Sequence, residues 1–101
     1  MAYKLVFVQR YDRKDQERFV RLEQKFIELE RRAKNLAPAR RFQPVLGREP
    51  TNTLFWEAEV DSMSAAVALM EAIEDNKEHS ELLEEQVGYM KDYYVEIMKE
   101  L

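Results

Sequence analysis

A chain of 101 residues holds material for one hydrophobic core and not for two, so residues 1–101 are read as a single domain. Hydrophobic residues at 46% and charged residues at 36% exclude a disordered tail, and a formal charge of -4 removes general attraction to nucleic acid or anionic lipid. The absence of cysteine excludes a disulfide framework, a thiolate nucleophile and a zinc–thiolate site.

No apolar run approaches the roughly 20 residues that a bilayer crossing needs. The opening MAYKLVFVQR lacks the positive lead and small-residue cleavage site of a signal peptide. The expectation is a cytoplasmic protein without a membrane or nucleic-acid partner.

Residues 3–9, YKLVFVQ, are rich in aromatic and β-branched side chains and predict a first strand. Asp12 offers a helix N-cap, with Asp15 and Glu17 placed to suit the macrodipole. Phe19, Leu22, Phe26, Leu29, Ala33 and Leu36 then recur at alternating spacings of three and four, so one stripe of a helix is apolar. Val20 and Ile27 widen it. The same spacing suits a coiled coil, but it lasts less than three heptads and meets Pro38, so a helix lying on a sheet is expected.

Residues 40–47, RRFQPVLG, predict an edge strand, since Pro44 is tolerated at a sheet edge and not in its centre. Turn residues at 48–52, REPTN, lead into the alternating TLFWEAEV of residues 53–60, which predicts a hairpin. Asp61 or Ser62 can cap a second helix whose Met63, Ala66, Val67, Met70 and Ile73 share a face. After a break near Asn76, residues 78–90 place His79, Leu82, Leu83, Gln86, Val87 and Met90 at helical spacing, with Gly88 weakening the end. The final DYYVEIMKEL reads as strand.

The order strand, helix, strand, strand, broken helix, strand is the split βαβ of the ferredoxin-like class: an α+β domain with a four-stranded antiparallel sheet and helices on one face. Alternation then divides the strand residues between two faces. One collects Tyr3, Leu5, Phe7, Phe42, Leu46, Leu54, Trp56, Ala58, Val60, Tyr93, Val95 and Ile97, the expected core. The other collects Lys4, Val6, Val8, Arg10, Arg41, Gln43, Val45, Phe55, Glu57, Glu59, Tyr94, Glu96 and Met98. Apolar residues on that second face mark a contact surface, and a second copy of the chain is the expected partner, giving a homodimer with the sheets face to face.

The opening YKLVFVQRY, the hairpin RRFQPVLGREPTNTLFWEAEV and the late EHSELLEEQVGYMKDYYVEIMKEL resemble the dimeric α+β barrel superfamily, which includes NIPSNAP-like proteins, EthD-like proteins and antibiotic-biosynthesis monooxygenases. The resemblance spans most of the chain and is architectural; it implies a place to look for a ligand and no particular reaction. The heme-degrading branch uses an Asn, Trp and His set. Here Asn52 falls in a turn and Trp56 on the core face, so heme chemistry is not expected.

His79 is the single histidine and the natural candidate base, because imidazole changes charge near neutrality. No second histidine stands at ligand spacing, no metal or cofactor is expected, and a surface or packing role at a solvated, capped helix start explains His79 equally well. Glu57, Glu59 and Glu96 read either as a proton-transferring group or as partners of Lys4, Arg10 and Arg41 across the sheet. Arg31, Arg32, Lys34, Arg40 and Arg41 form a basic stretch near a helix C-terminus, where cations are expected anyway. It lacks the glycine-rich loop that cradles phosphate. The leading expectation is a homodimeric barrel that binds a small, partly apolar ligand between sheet and helices, walled by Phe55, Glu57, Tyr94 and His79. The alternatives are a cofactor-independent enzyme of monooxygenase or isomerase type and a non-catalytic structural or regulatory dimer.

Overall fold

A computed structural model describes residues 2–101. Its strands are β1 (Tyr3–Tyr11), β2 (Arg40–Phe42), β3 (Thr53–Val60) and β4 (Met90–Lys99), and its helices are α1 (Gln16–Arg32), α2 (Met63–Asp75) and α3 (Lys77–Val87). The sheet runs β2-β3-β1-β4 with every pair antiparallel. This is the expected ferredoxin-like α+β arrangement, with β1 between β3 and β4.

The 3₁₀ turn before α1, and helices α2 and α3, begin where a short polar side chain accepts an otherwise unpaired backbone N–H. Asp12 caps a 3₁₀ turn, Arg13–Asp15, which leads into α1. Ser62, not Asp61, caps α2, its hydroxyl accepting from the Ala65 amide at 3.0 Å. Asn76 ends α2 and caps α3 through the His79 amide at 2.9 Å. Helix α1 buries Phe19, Leu22, Phe26 and Leu29 as its periodicity requires, and stops at Arg32. Ala33 and Leu36 therefore lie beyond the helix, although Leu36 still packs into the core.

The buried face of α2 is Ala66, Leu69 and Ile73, with Met70 partly buried, whereas Met63 and Val67 face out. The expected stripe was thus rotated by part of a turn. Gly88 closes α3 three residues short of the expected end, and β4 starts at Met90 instead of Asp92.

The largest departure is β2. It ends at Phe42, because Pro44 has no N–H for the ladder and Gly47 turns the chain at φ +150°. Val45 and Leu46 consequently stand 92% and 97% exposed in a loop, not on the two sheet faces. The side-chain phase of β2 is also inverted. Arg41 pairs with Trp56 and faces the helices, while Phe42 pairs with Phe55 and faces away. A one-residue phase change exchanges every side chain between faces. Here the helix side supplies what Arg41 needs, two carboxylates on α1.

The core joins Leu5, Phe7, Trp56 and Ala58 of the sheet to Leu29 of α1 and Leu69 and Ile73 of α2, with Val60, Val95 and Ile97 at its margin. Phe7 stacks on Trp56 with ring centroids 4.6 Å apart. On the outer face the central-strand residues Val6 and Val8 are only 0% and 1% exposed. Neighbouring side chains shelter them: Lys4 reaches Glu57 at 3.1 Å, and the Tyr94 hydroxyl donates to Glu49 of the 43–52 loop at 3.1 Å.

Candidate functional site

Between the helices and their side of the sheet lies a cavity of about 240 Å³. The sheet contributes Phe7, Gln9, Trp56, Tyr93 and Val95. Helix α1 adds Glu23 and Phe26, α2 adds Met70, Ile73 and Glu74, and α3 adds His79, Ser80, Leu83 and Gln86. The break at Asn76 sets α3 at a new angle after α2, which allows both helices to line one space.

The polar part of this wall is organised by α1. Glu23 and Glu30 lie seven residues apart on the apolar stripe and are buried with it. Both face Arg41: its Nε donates to Glu23 at 2.5 Å and its terminal nitrogens to the two Glu30 oxygens at 2.6 and 3.0 Å. Burial alone would lower the Arg41 pKa, and the hydrogen bonds and charges of Glu30 and Glu23 more than offset it, so the guanidinium stays charged. Glu30 also accepts from Trp56 Nε1 at 3.0 Å and from the Ala39 amide at 3.2 Å. The triad thereby ties the edge strand and the indole of the cavity wall to α1.

Gln86, fully buried, donates through Nε2 to Glu23 at 2.9 Å and to the Phe19 carbonyl at 3.4 Å. Both partners accept only, which orients the amide and leaves Gln86 Oε1 without a donor. Gln9 Oε1 is likewise buried without one. His79 packs its ring at 4.7 Å from Phe26. Burial depresses the His79 pKa below 6.5, Arg41 depresses it further, and Glu30 opposes them only in part, so the imidazole is neutral at pH 7. Burial raises the Tyr93 pKa, helped by the Glu74 carboxylate, so the phenol keeps its proton.

The four side chains expected to form one wall divide between the two faces of the sheet. His79 lines the cavity. Phe55 and Tyr94 flank Val8, and Glu57 flanks Val6, on the outer face. The expected cross-sheet pairing holds for Lys4 with Glu57 and fails for Arg41, whose carboxylates belong to α1. The basic stretch is dispersed: Arg32 binds Glu78 at 2.7 Å, Arg41 is in the triad, and Arg40 lies over the Phe42 ring at 5.1 Å. Asn52 spends its amide on the Tyr11 carbonyl at 2.7 Å, away from the cavity that Trp56 and His79 share.

Of the fourteen residues that line the cavity only His79 was expected at a ligand site, and the other buried polar ones are Gln9, Glu23 and Gln86. A signal for two was present. Glu23 and Glu30 are carboxylates inside an otherwise apolar helical stripe, where an unpaired charge is too costly to keep. Gln9 continues the alternation of Leu5 and Phe7, which marks a polar group facing the core.

No protein-family model and no curated protein sequence matches the chain. Solved structures do. A conserved protein from Methanosarcina mazei superposes with a TM-score of 0.76 at 15% identity, covering 100% of this chain and 94% of that one. A NIPSNAP family protein from Agrobacterium tumefaciens gives 0.78 at 9% identity over 97% and 91% of the two chains. An antibiotic biosynthesis monooxygenase gives 0.75 at 11% identity over 98% of both. The chain therefore has the fold shared by NIPSNAP and antibiotic-biosynthesis-monooxygenase structures, and at these identities the likeness concerns fold alone.

Proposed function

We propose that the protein is a homodimeric barrel whose protomer binds a small, partly apolar molecule in the cavity between sheet and helices. The observation that carries this reading is the composition of the cavity wall. Phe7, Phe26 and Trp56 offer ring surface, while the neutral imidazole of His79 and the protonated phenol of Tyr93 offer hydrogen-bonding groups at the same wall. Polar groups beside a cavity favour a partner that hydrogen-bonds to them.

The outer face supports the dimer. Phe42 and Met98 are exposed there around Val6, Val8 and Phe55, a mixed surface suited to a second copy related by a two-fold axis. Phe55, Glu57 and Tyr94 are assigned to this contact and His79 to the ligand.

Native mass spectrometry of the untagged protein tests both parts. The expected species has twice the 12.1 kDa mass of one chain and carries a retained small molecule. Ile73→Phe, which fills the cavity, should remove the adduct and keep the dimer. A monomer at all working concentrations overturns the barrel, and an adduct that survives Ile73→Phe overturns the cavity as its site.

The position of His79 favours a second reading, an enzyme in which the neutral imidazole removes a proton from the bound molecule. One of the similar structures is an antibiotic biosynthesis monooxygenase, and cofactor-independent oxygenation or isomerisation would begin with such a step. His79→Ala should then abolish turnover while the dimer and its adduct persist; unchanged turnover removes the assignment.

A further inference from the structure

The outer face of the sheet differs at its two ends. At the Arg10 end, the 43–52 loop turns from β2 into β3 beside Thr53, the register partner of Arg10. Tyr94, on that face, donates its hydroxyl to Glu49 at 3.1 Å, so the loop stands against this end of the sheet. Gln43 Nε2 closes the loop on the Thr51 carbonyl at 2.8 Å, and Arg13 reaches the Thr51 hydroxyl at 3.2 Å. Tied at these points, the loop still leaves Val45 and Leu46 92% and 97% exposed.

At the opposite end Lys4 is in register with Glu59 of β3 and Met98 of β4. All three line an open hollow of about 620 Å³, with Tyr3, Lys99 and Glu100 at its rim. Lys4 and Arg10 are six residues apart on β1, roughly 20 Å at the rise of a strand. Each protomer thus carries an apolar protrusion at one end of the face and a hollow at the other. Two-fold symmetry limits how two such faces meet. An axis along the strands sets loop against loop and hollow against hollow. An axis across the strands exchanges the ends, so each loop meets the other copy's hollow.

We infer that the 43–52 loop is a dimerisation arm: Val45 and Leu46 of each copy seat in the Lys4, Glu59 and Met98 hollow of the other, with the two sheets head to tail. This rests on the homodimer reading above. Size agrees. A cavity of roughly 150 Å³ holds benzene, so about 620 Å³ has room for two aliphatic side chains. Met98, 43% exposed, gives the hollow an adaptable apolar wall. Charge agrees as well. Lys4 is committed to Glu57, so Glu59 and Glu100 stand against Lys99, one negative charge in excess. The loop brings Arg48, exposed and unpaired among the described residues, while its Glu49 is bound to Tyr94. A loop already tied in shape loses little freedom on binding.

The chain has no cysteine, so engineered pairs report the contact directly. The double variant Leu46→Cys, Met98→Cys should give a disulfide-linked dimer on mild oxidation, read by non-reducing electrophoresis. Within one protomer the two positions lie at opposite ends of the face, so the bond forms only between copies. Leu46→Cys alone should stay unlinked; a linked dimer from it would set the loops side by side and overturn the head-to-tail arrangement. By native mass spectrometry, replacing both Val45 and Leu46 by serine should raise the dimer Kd at least about tenfold, the scale of burying one large aliphatic side chain. Arg48→Glu and Glu59→Arg should each weaken their own dimer and, when mixed, prefer the heterodimer, in which opposite charges face each other at both contacts. A parent dimer that the serines leave unchanged, with no link between positions 46 and 98, would overturn the arm and leave the face-to-face dimer standing. A monomeric parent would overturn both.

Discussion

Replacing Arg41 by methionine should be among the most damaging single changes in this chain. The substitution keeps much of the side-chain volume and removes the cation that faces Glu23 and Glu30, both buried on the core-facing stripe of α1. Removing one partner of a buried ion pair costs about 3–5 kcal/mol, because the charge left behind has lost its compensation. Two carboxylates are left here, so the upper part of that range applies. For a domain whose total stability is on the order of 5–15 kcal/mol this is a large fraction. Urea titration followed by Trp56 fluorescence and far-UV circular dichroism should show a midpoint shift of matching size. Heating should show a Tm lower by at least about 16 °C, at roughly 4–8 °C per kcal/mol for a chain of this length. Adding Glu23→Gln to Arg41→Met should recover part of the loss, since it removes one of the stranded charges. A cost below about 1 kcal/mol for Arg41→Met would equate the triad with an exposed surface pair and refute its anchoring of β2 to α1.

Three further outcomes follow from other contacts. Because burial holds the folded-state His79 pKa below 6.5, the unfolded chain takes up the proton first as pH falls through 6.5. This residue therefore makes the fold less stable from pH 7 toward pH 5, and His79→Gln should flatten the stability profile relative to the parent over that window; parallel profiles would refute the buried neutral imidazole. Tyr94→Phe removes the hydroxyl that holds Glu49, so amide exchange should quicken across the 43–52 loop and not in β1; unchanged exchange there would show that the contact does not hold the loop. Phe55→Arg should yield a folded monomer by native mass spectrometry if the outer face is the dimer contact, and a persistent dimer would place that contact elsewhere.

Much of this architecture was legible in one dimension because it repeats. The alternation of Tyr3, Leu5 and Phe7 and of Leu54, Trp56 and Ala58 placed two strands and their core faces. The spacing of Phe19, Leu22, Phe26 and Leu29 placed a helix over them. Short polar residues at Asp12 and at Asp61 or Ser62 marked the starts of helical segments because such side chains reach back to the free amides, whereas Asn76 read only as a break and its capping of α3 came from the structure. These signals are local, and they survive into the folded chain because burial of the apolar face they define outweighs the alternatives.

Apart from the stripe of α2, whose Met63 and Val67 face out, what failed lacked a repeat. Strand β2 is three residues long, too short to carry a phase of its own, so its register was decided from outside: Arg41 turned toward Glu23 and Glu30, and Phe42 went to the other face. The same interaction removed Arg41 from the expected cross-sheet pairs and made two glutamates part of the core. The site shared this fate. His79 could be singled out as the lone imidazole, but its neighbours Gln9, Glu23 and Gln86 come from β1, α1 and α3 and are far apart along the chain. Sequence alone determined the element order, the two faces of the long strands and the helix stripe, since each depends on spacing between near residues. Tertiary structure decided the phase of the edge strand, the buried ion triad and the membership of the cavity, since each depends on which distant side chain arrives to compensate a charge or a polar atom that burial would otherwise penalise.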